Sequence, residues 1–270
     1  DLGGYSIIES MTQSNSILIF CGVLLTSTLG CLISFQLPIF LNELDKSDLT
    51  YYLKGIIYGI LGLLPTLIVS GLMLQIEHFF ISFLPVIFIC AILIGLFFIS
   101  FKTLITVLTI FSKIVQILGY IFFFLLCLTF FFNMNFTNIT LIDEALRIVF
   151  QMSITVCGSL VFCEIILRNF SMQIEKAGKI LQIDKYSVMG IILSFGTSIA
   201  MLPLFPKMNK KGKILNAAFS LSGAFVFGGQ LGFIASVNPQ SVTWFIVVKI
   251  TGGLLGIFIA NIFEKQSVTQ

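Results

Sequence analysis

Apolar runs of about 20 residues recur along this chain, with short charged stretches between them. An α-helix needs about 20 mostly apolar residues to cross the hydrocarbon core of a bilayer. Seven runs meet this length, and an eighth is interrupted by Gly196, Pro203 and Pro206. The seven cover residues 16–38, 53–74, 79–101, 114–132, 146–167, 214–235 and 242–263, and the eighth covers residues 187–205. The pattern predicts an all-α, multi-pass transmembrane helical bundle.

Composition supports this prediction and excludes other classes of protein. Hydrophobic residues make up 57% of the 270 positions and charged residues 10%, and the mean hydropathy is +1.08. A soluble domain carries roughly 25% charged residues, so a soluble enzyme and a disordered chain are excluded. The net charge of +3 is small and the lysines lie in short loops, which argues against a nucleic-acid partner. We expect residues 1–270 to form one membrane domain in contact with lipid.

The basic residues predict a re-entrant hairpin in the eighth run. Cytoplasmic loops of membrane proteins are enriched in lysine and arginine. The stretches before and after residues 187–205 are both basic, with four such residues in 168–185 and four in 207–213. A spanning helix would place these stretches on opposite sides of the membrane, whereas a hairpin keeps both on one side. A kinked spanning helix is the alternative, and either form would contain a broken helix.

Two stretches are amphipathic rather than uniformly apolar. Residues 102–113 lie between two lysines and have helical apolar spacing, so we expect a helix in the plane of the membrane interface. Residues 171–185 carry five charges among apolar positions and form the second amphipathic stretch.

A faint internal repeat relates the two ends of the chain. Leu2-Gly3 matches Leu231-Gly232, and Leu29-Gly30 matches Leu255-Gly256, with one gap. Repeats whose apolar segments are broken by glycine at corresponding places are typical of secondary transporters, in which the breaks mark the substrate site.

Histidine and cysteine offer little chemistry. The six cysteines lie in apolar runs, form no CxxC pair and have no metal-ligand spacing, and there is one histidine. A membrane-embedded enzyme would need clustered histidine or carboxylate groups. We therefore expect no enzyme and no cofactor.

Long ordered stretches of the sequence resemble the ethanolamine utilisation protein family, EutH. The resemblance rests on KMNKKGKILNAAFSLSGAFVFGGQLGF at 207–233, VVKITGGLLG at 247–256 and DLGGY at 1–5. It implies a membrane permease for ethanolamine, a small-molecule substrate and a location in the cell membrane. The family carries further membrane segments upstream, and because the sequence begins with Asp1 we expect the chain to be a piece of a longer protein.

The chain departs from the family at two motifs. Where the family reads Gly-Asp-His-Leu-Gly-Phe, this chain has Gly-Gly-Gln-Leu-Gly-Phe at 228–233. Where the family reads Asn-Asn-Ile-Pro-Met, it has Thr-Ser-Ile-Ala-Met at 197–201. Ethanolamine is a cation at pH 7, so loss of an acidic residue bears on the choice of substrate.

The predicted binding site has three parts, and each admits a structural alternative. Asp1 could bind an ammonium if it lies within the membrane, with Gly3, Gly4 and Tyr5 beside it, or it is a solvated chain end. Gly229, Gln230 and Gly232 indicate an unwound helix with an amide for the substrate, or simply close helix packing. Thr197 and Ser198 could bind a hydroxyl, or satisfy backbone groups at a bend.

Four further polar residues have structural interpretations. Lys249 either extends to the membrane interface or neutralises a buried carboxylate. Glu164 and Arg168 are spaced for an ion pair on one helix. His78 is expected at the surface.

The sequence thus favours a permease for ethanolamine or a related small amino alcohol. A transporter of another small polar metabolite is the alternative that the Gly229-Gln230 departure admits. A membrane enzyme and a structural scaffold are the competing classes, and a scaffold needs no broken, glycine-rich helices.

Overall fold

The computed structural model describes residues 2–132 and 168–266, with a few single positions between them, and the described parts contain helices and no strand. The first half contains α1 Leu2–Met11, α2 Asn15–Glu43, α3 Lys46–Met73, α4 Phe79–Ile99 and α5 Phe101–Phe132. The second half contains α6 Ser171–Leu181, α7 Lys185–Ser194, a 3-10 helix Ser198–Lys207, α8 Lys210–Gly223, α9 Gly229–Val237 and α10 Val242–Gln266.

In the described part of the chain, five helices are long and apolar enough to span a bilayer: α2, α3, α4, α5 and α10. They match five of the seven predicted spans and confirm the all-α, multi-pass bundle. The predicted span at 146–167 lies outside the described residues. Most of α2 is wound as π-helix, over Leu18–Gly30 and Leu32–Gln36. Such winding is uncommon and often accompanies functional sites.

Small residues let three helices approach closely at the centre of the bundle. Gly59 of α3 and Gly256 of α10 both face the carbonyl oxygen of Ala218 in α8, and an added Cβ would lie 2.7 and 2.8 Å from that oxygen. Gly55 and Gly62 extend the same contact along α3. Helices in lipid associate through such close packing, because apolar side chains gain little by leaving lipid tails. The α3–α8–α10 core is therefore the rigid frame of the molecule.

The predicted hairpin is a folded unit whose two ends meet. The Asp184 carboxylate accepts a hydrogen bond from the Ser187 N–H at the start of α7, and another from the Asn209 N–H at the start of α8. Lys207 also lies over the ring of Tyr186, 5.8 Å from its centroid. A single helix crossing the bilayer over 187–205 is therefore wrong, because the chain turns at 195–197 and returns to its starting point.

Two sequence predictions need correction. The predicted span 214–235 is two helices, since α8 ends at Gly223 and α9 starts at Gly229. Apolar composition does not reveal this break, because the unwound backbone finds partners in another segment. The predicted interfacial helix 102–113 is part of the continuous helix α5. No proline or glycine interrupts residues 101–118, so nothing separates the two parts.

The two copies of the internal repeat have the same shape. Each is a short helix followed by a turn and a long helix: α1 with α2, and α9 with α10. The copies touch through the short helices, where Tyr5 meets Phe233 edge-on with ring centroids 5.9 Å apart. The repeat therefore places two short helices side by side, next to two long ones.

Candidate functional site

Two segments in the second half of the chain leave the helical form, residues 195–197 and 224–228, and they cross each other. The N–H groups of Phe225 and Phe227 donate to the carbonyl oxygens of Ser194 and Phe195, at 3.0 and 2.8 Å. Gly228 lies against the carbonyl of Gly196, where a Cβ would collide with that oxygen. Backbone that leaves the helical form inside a membrane protein must find such partners. The crossing therefore holds two unwound segments together beside the start of α9.

A lysine is buried next to this crossing. The side chain of Lys249, on α10, is 1% exposed. Its ammonium donates to the carbonyl oxygen of Ser27 on α2 at 2.8 Å, and to Oε1 of Gln230 on α9 at 2.9 Å. It also lies 5.3 Å from the ring centroid of Phe245. Three helices from both copies of the repeat thus meet at one amine.

The structure contradicts the first role suggested for Lys249 by the sequence, and among the described residues it shows no carboxylate partner for the second. Its burial excludes an extended side chain at the membrane interface, and its partners in the described residues are neutral oxygens rather than a carboxylate. A buried cation costs several kcal/mol of desolvation unless other groups compensate for it. Here one amide oxygen, one backbone carbonyl and the face of a phenyl ring provide that compensation.

Polar groups continue from this lysine into the core. The thiol of Cys31 interacts with the side chains of both Gln230 and Gln36. The Gln36 amide donates to the carbonyl oxygen of Ser220 at 3.1 Å. Within the described residues, Gln36 Oε1 and the Tyr52 hydroxyl are buried and have no hydrogen-bond partner. Because buried polar groups are nearly always hydrogen-bonded, these two are open to a ligand.

The structure divides the residues predicted around the first break. Asp1 lies outside the described residues. Gly3 and Gly4 fall in the first turn of α1, and Gly4 packs against Thr26 of α2, where a Cβ would lie 2.8 Å from its methyl group. Tyr5 is buried and its hydroxyl lies 3.4 Å from Glu9. Close helix packing therefore accounts for Gly4.

The residues predicted around the second break also separate. The helix is interrupted as predicted, but at residues 224–228, and Gly229, Gln230 and Gly232 are helical residues of α9 rather than unwound ones. Gln230 is buried and bonded to Lys249, whereas Gly229 and Gly232 are exposed and face open space. Thus the amide points into the core and the two glycines point out of it.

The predicted hairpin tip lies at the crossing. Thr197 accepts a hydrogen bond from the Ile199 N–H at 3.3 Å, so its role is to cap the 3-10 helix. Ser198 is buried and its hydroxyl has no partner within the described residues. Both residues follow Gly196, whose carbonyl meets Gly228.

Sequence reasoning missed Ser27, Gln36 and Tyr52. A signal existed for Gln36, which is a lone amide inside an otherwise apolar run. Ser27 contributes its backbone, which no side-chain pattern reveals.

Other ionisable groups have structural positions. Lys213 pairs with Asp48, and Lys54 pairs with Glu264 at 2.7 Å. His78 is exposed, as predicted. The predicted pair of Glu164 with Arg168 involves a residue outside the described part of the chain. Among the described residues, no group of three His, Cys, Asp or Glu side chains could hold a metal ion.

The structure combines long apolar helices, two short helices that touch, two unwound segments that cross and a buried polar centre. Together these features are those of a membrane transport protein. The family profile described as "Ethanolamine utilisation protein, EutH" matches residues 1–263. The chain belongs to the EutH family and is a membrane permease rather than an enzyme.

Curated relatives carry the resemblance along nearly the whole chain. "Probable ethanolamine permease EutH" of Listeria monocytogenes serotype 1/2a (strain 10403S) is 29% identical over 280 residues, covering 99% of this chain and 74% of the relative. "Uncharacterized protein YxeR" of Bacillus subtilis (strain 168) is 26% identical, covering 94% and 70%. "Probable ethanolamine permease EutH" of Escherichia coli (strain K12) is 25% identical, covering 100% and 73%. No solved structure matches.

Proposed function

We propose that this permease carries ethanolamine, or a related small amino alcohol, across the cell membrane, and that the substrate binds at Gln230 where the broken helices meet. The names of two relatives support the substrate class. The observation that carries the proposal is the arrangement around Lys249, because a primary amine lies there in the buried core within hydrogen-bond distance of two oxygens.

Ethanolammonium has the same chemical head as the lysine side chain. When Lys249 moves aside, a substrate ammonium can donate hydrogen bonds to Gln230 Oε1 and the Ser27 carbonyl and lie over the Phe245 ring. Its desolvation needs such partners, since an unpaired buried ion costs several kcal/mol.

The substrate hydroxyl needs a second polar group close by. The Cys31 side chain is a neighbour of both Gln230 and Gln36, so the two amides lie near each other. Gln36 Oε1 is an unpaired acceptor for the hydroxyl proton. We assign it this role in place of Thr197, whose hydroxyl already accepts from the backbone. Ser198 remains a second hydroxyl partner.

Asp1 keeps its proposed role as a charge partner for the ammonium. The Gly3–Gly4 backbone and Tyr5 then belong to the wall of the site, whereas Gly229 and Gly232 at the start of α9 point out of it. A neutral substrate such as another small polar metabolite would need Gln230 but not Asp1.

Uptake of labelled ethanolamine tests the proposal. Cells without their own uptake system would express the complete protein, at a pH well below the pKa of the free amine so that passive diffusion is slow. Gln230→Leu removes one acceptor of a charge-assisted hydrogen bond, so we expect roughly tenfold slower uptake at low substrate concentration. Gln116→Leu is the matched control, since Gln116 of α5 bonds Tyr120 on the same helix. Equal uptake in all three proteins contradicts the proposed site, and uptake no faster than in cells without the protein contradicts the substrate.

A further inference from the structure

We propose that Lys249 is a built-in competitor of the substrate: its ammonium occupies the substrate's oxygens while the carrier is empty and leaves them when a primary ammonium binds. The inference rests on the proposed function and adds a specific role for a residue that packing alone does not require.

Among the described residues, the groups around Lys249 that suit a cation all contact its own ammonium, so a second cation has no binding position there. Its ammonium already uses Gln230 Oε1 at 2.9 Å and the Ser27 carbonyl at 2.8 Å. The Phe245 ring, the remaining neighbour suited to a cation, faces the same amine. Two unit positive charges a few ångströms apart in a buried site repel each other strongly. Occupancy by Lys249 and by a substrate ammonium is therefore mutually exclusive.

The partners of Lys249 also explain how it can leave. An ion pair with a carboxylate would hold a buried lysine in place, because separation would bury two unpaired charges. Within the described residues Lys249 has neutral partners, so an incoming ammonium that replaces it leaves no carboxylate unpaired. The long aliphatic stem of lysine has the reach and flexibility to move its charge elsewhere.

In the empty carrier, Lys249 supplies a hydrogen-bond donor to a buried oxygen of the binding site. Without substrate and without Lys249, the buried Gln230 Oε1 would lose the donor it has now, at the usual cost of an unsatisfied polar group. With Lys249 in place, this oxygen keeps a donor in the unloaded site, so the empty protein can return across its transport cycle. The lysine should therefore weaken apparent substrate affinity and speed the return of the empty carrier.

Neutral variants of Lys249 separate these two effects in proteoliposomes that contain the complete protein. Lys249→Met removes the ammonium, and Lys249→Gln keeps N–H donors for the two oxygens and so protects the fold. If the lysine occupies the site nine-tenths of the time, its removal strengthens apparent ethanolamine binding about tenfold. We expect exchange of labelled for unlabelled ethanolamine to continue, while net uptake into empty vesicles falls several-fold.

Lys213→Met is the matched control, because Lys213 is also buried over a phenyl ring but pairs with a carboxylate. We expect its apparent affinity for ethanolamine to equal that of the wild type. Unchanged or weaker affinity in both Lys249 variants, with exchange and net uptake reduced equally, overturns the inference and leaves the proposed function standing. If the wild type neither binds nor exchanges ethanolamine, the proposed function fails and the inference fails with it.

Discussion

Two buried lysines, Lys213 and Lys249, lie in different regions, and different kinds of groups compensate for the burial of their charges. Each extends over a phenyl ring, Phe205 for Lys213 at 6.0 Å and Phe245 for Lys249 at 5.3 Å. Lys213 sits in the first turn of α8 and pairs with the Asp48 carboxylate from the first turn of α3. Lys249 lies seven residues after the start of α10 and donates hydrogen bonds to two neutral oxygens.

The contrast separates a fixed charge from a replaceable one. The Asp48–Lys213 pair joins the starts of two helices that also pack through Gly55 and Gly59, so it belongs to the rigid frame. The Lys249 cluster joins α2, α9 and α10 beside crossed, unwound backbone, where the structure is least regular. The first should govern stability and the second should govern transport.

The largest expected effect is on stability, from Asp48→Asn. The change leaves Lys213 as a buried cation without its carboxylate, which should lower the free energy of unfolding by about 3 kcal/mol. Thermal unfolding of the purified protein in detergent measures the loss, and the ethanolamine half-saturation constant of the folded fraction should stay the same. Adding Lys213→Met should recover part of the stability, since no charge is then unpaired. A large change in half-saturation constant without loss of stability would reverse the roles given to the two lysines.

A smaller effect, on transport alone, is expected from Asp1→Asn in the complete protein. If Asp1 supplies the negative charge that the described partners of Lys249 lack, the change should cut uptake of the charged substrate about tenfold, which corresponds to ~1.4 kcal/mol. Membrane insertion and expression should be the same as in the wild type. Unchanged uptake would mean that neutral oxygens alone bind the ammonium, or that the substrate is neutral.

The smallest effect is expected from Gly229→Ala. A Cβ at this position meets nothing within 4 Å, whereas one at the neighbouring Gly228 collides with the Gly196 carbonyl. Gly229→Ala should change stability by less than about 0.5 kcal/mol and leave uptake intact, while Gly228→Ala should open the crossing and reduce both. Equal losses in the two variants would show that the first turn of α9 needs glycine for a reason other than the crossing.

The outer helices show what apolar composition predicts well. Only 17% of the most apolar part of α4 and 6% of that of α5 is buried; α4 forms where the sequence places it, and α5 contains the predicted span 114–132. A helix surrounded by lipid needs only length and apolar side chains, and these are local properties of the sequence. The hairpin followed from a less local property, the charge on both sides of it.

The sequence by itself determined the class of protein, the five described spans and the hairpin between the two basic stretches. All of these depend on composition, spacing and charge along the chain. Tertiary structure decided where α8 and α9 separate, because Phe225 and Phe227 in the unwound residues 224–228 donate hydrogen bonds to the carbonyl oxygens of Ser194 and Phe195. It also decided that Lys249 meets the Ser27 carbonyl, a contact spanning 222 positions of the chain. Backbone partners carry no side-chain signature, so only the folded arrangement reveals which carbonyl a buried amine finds.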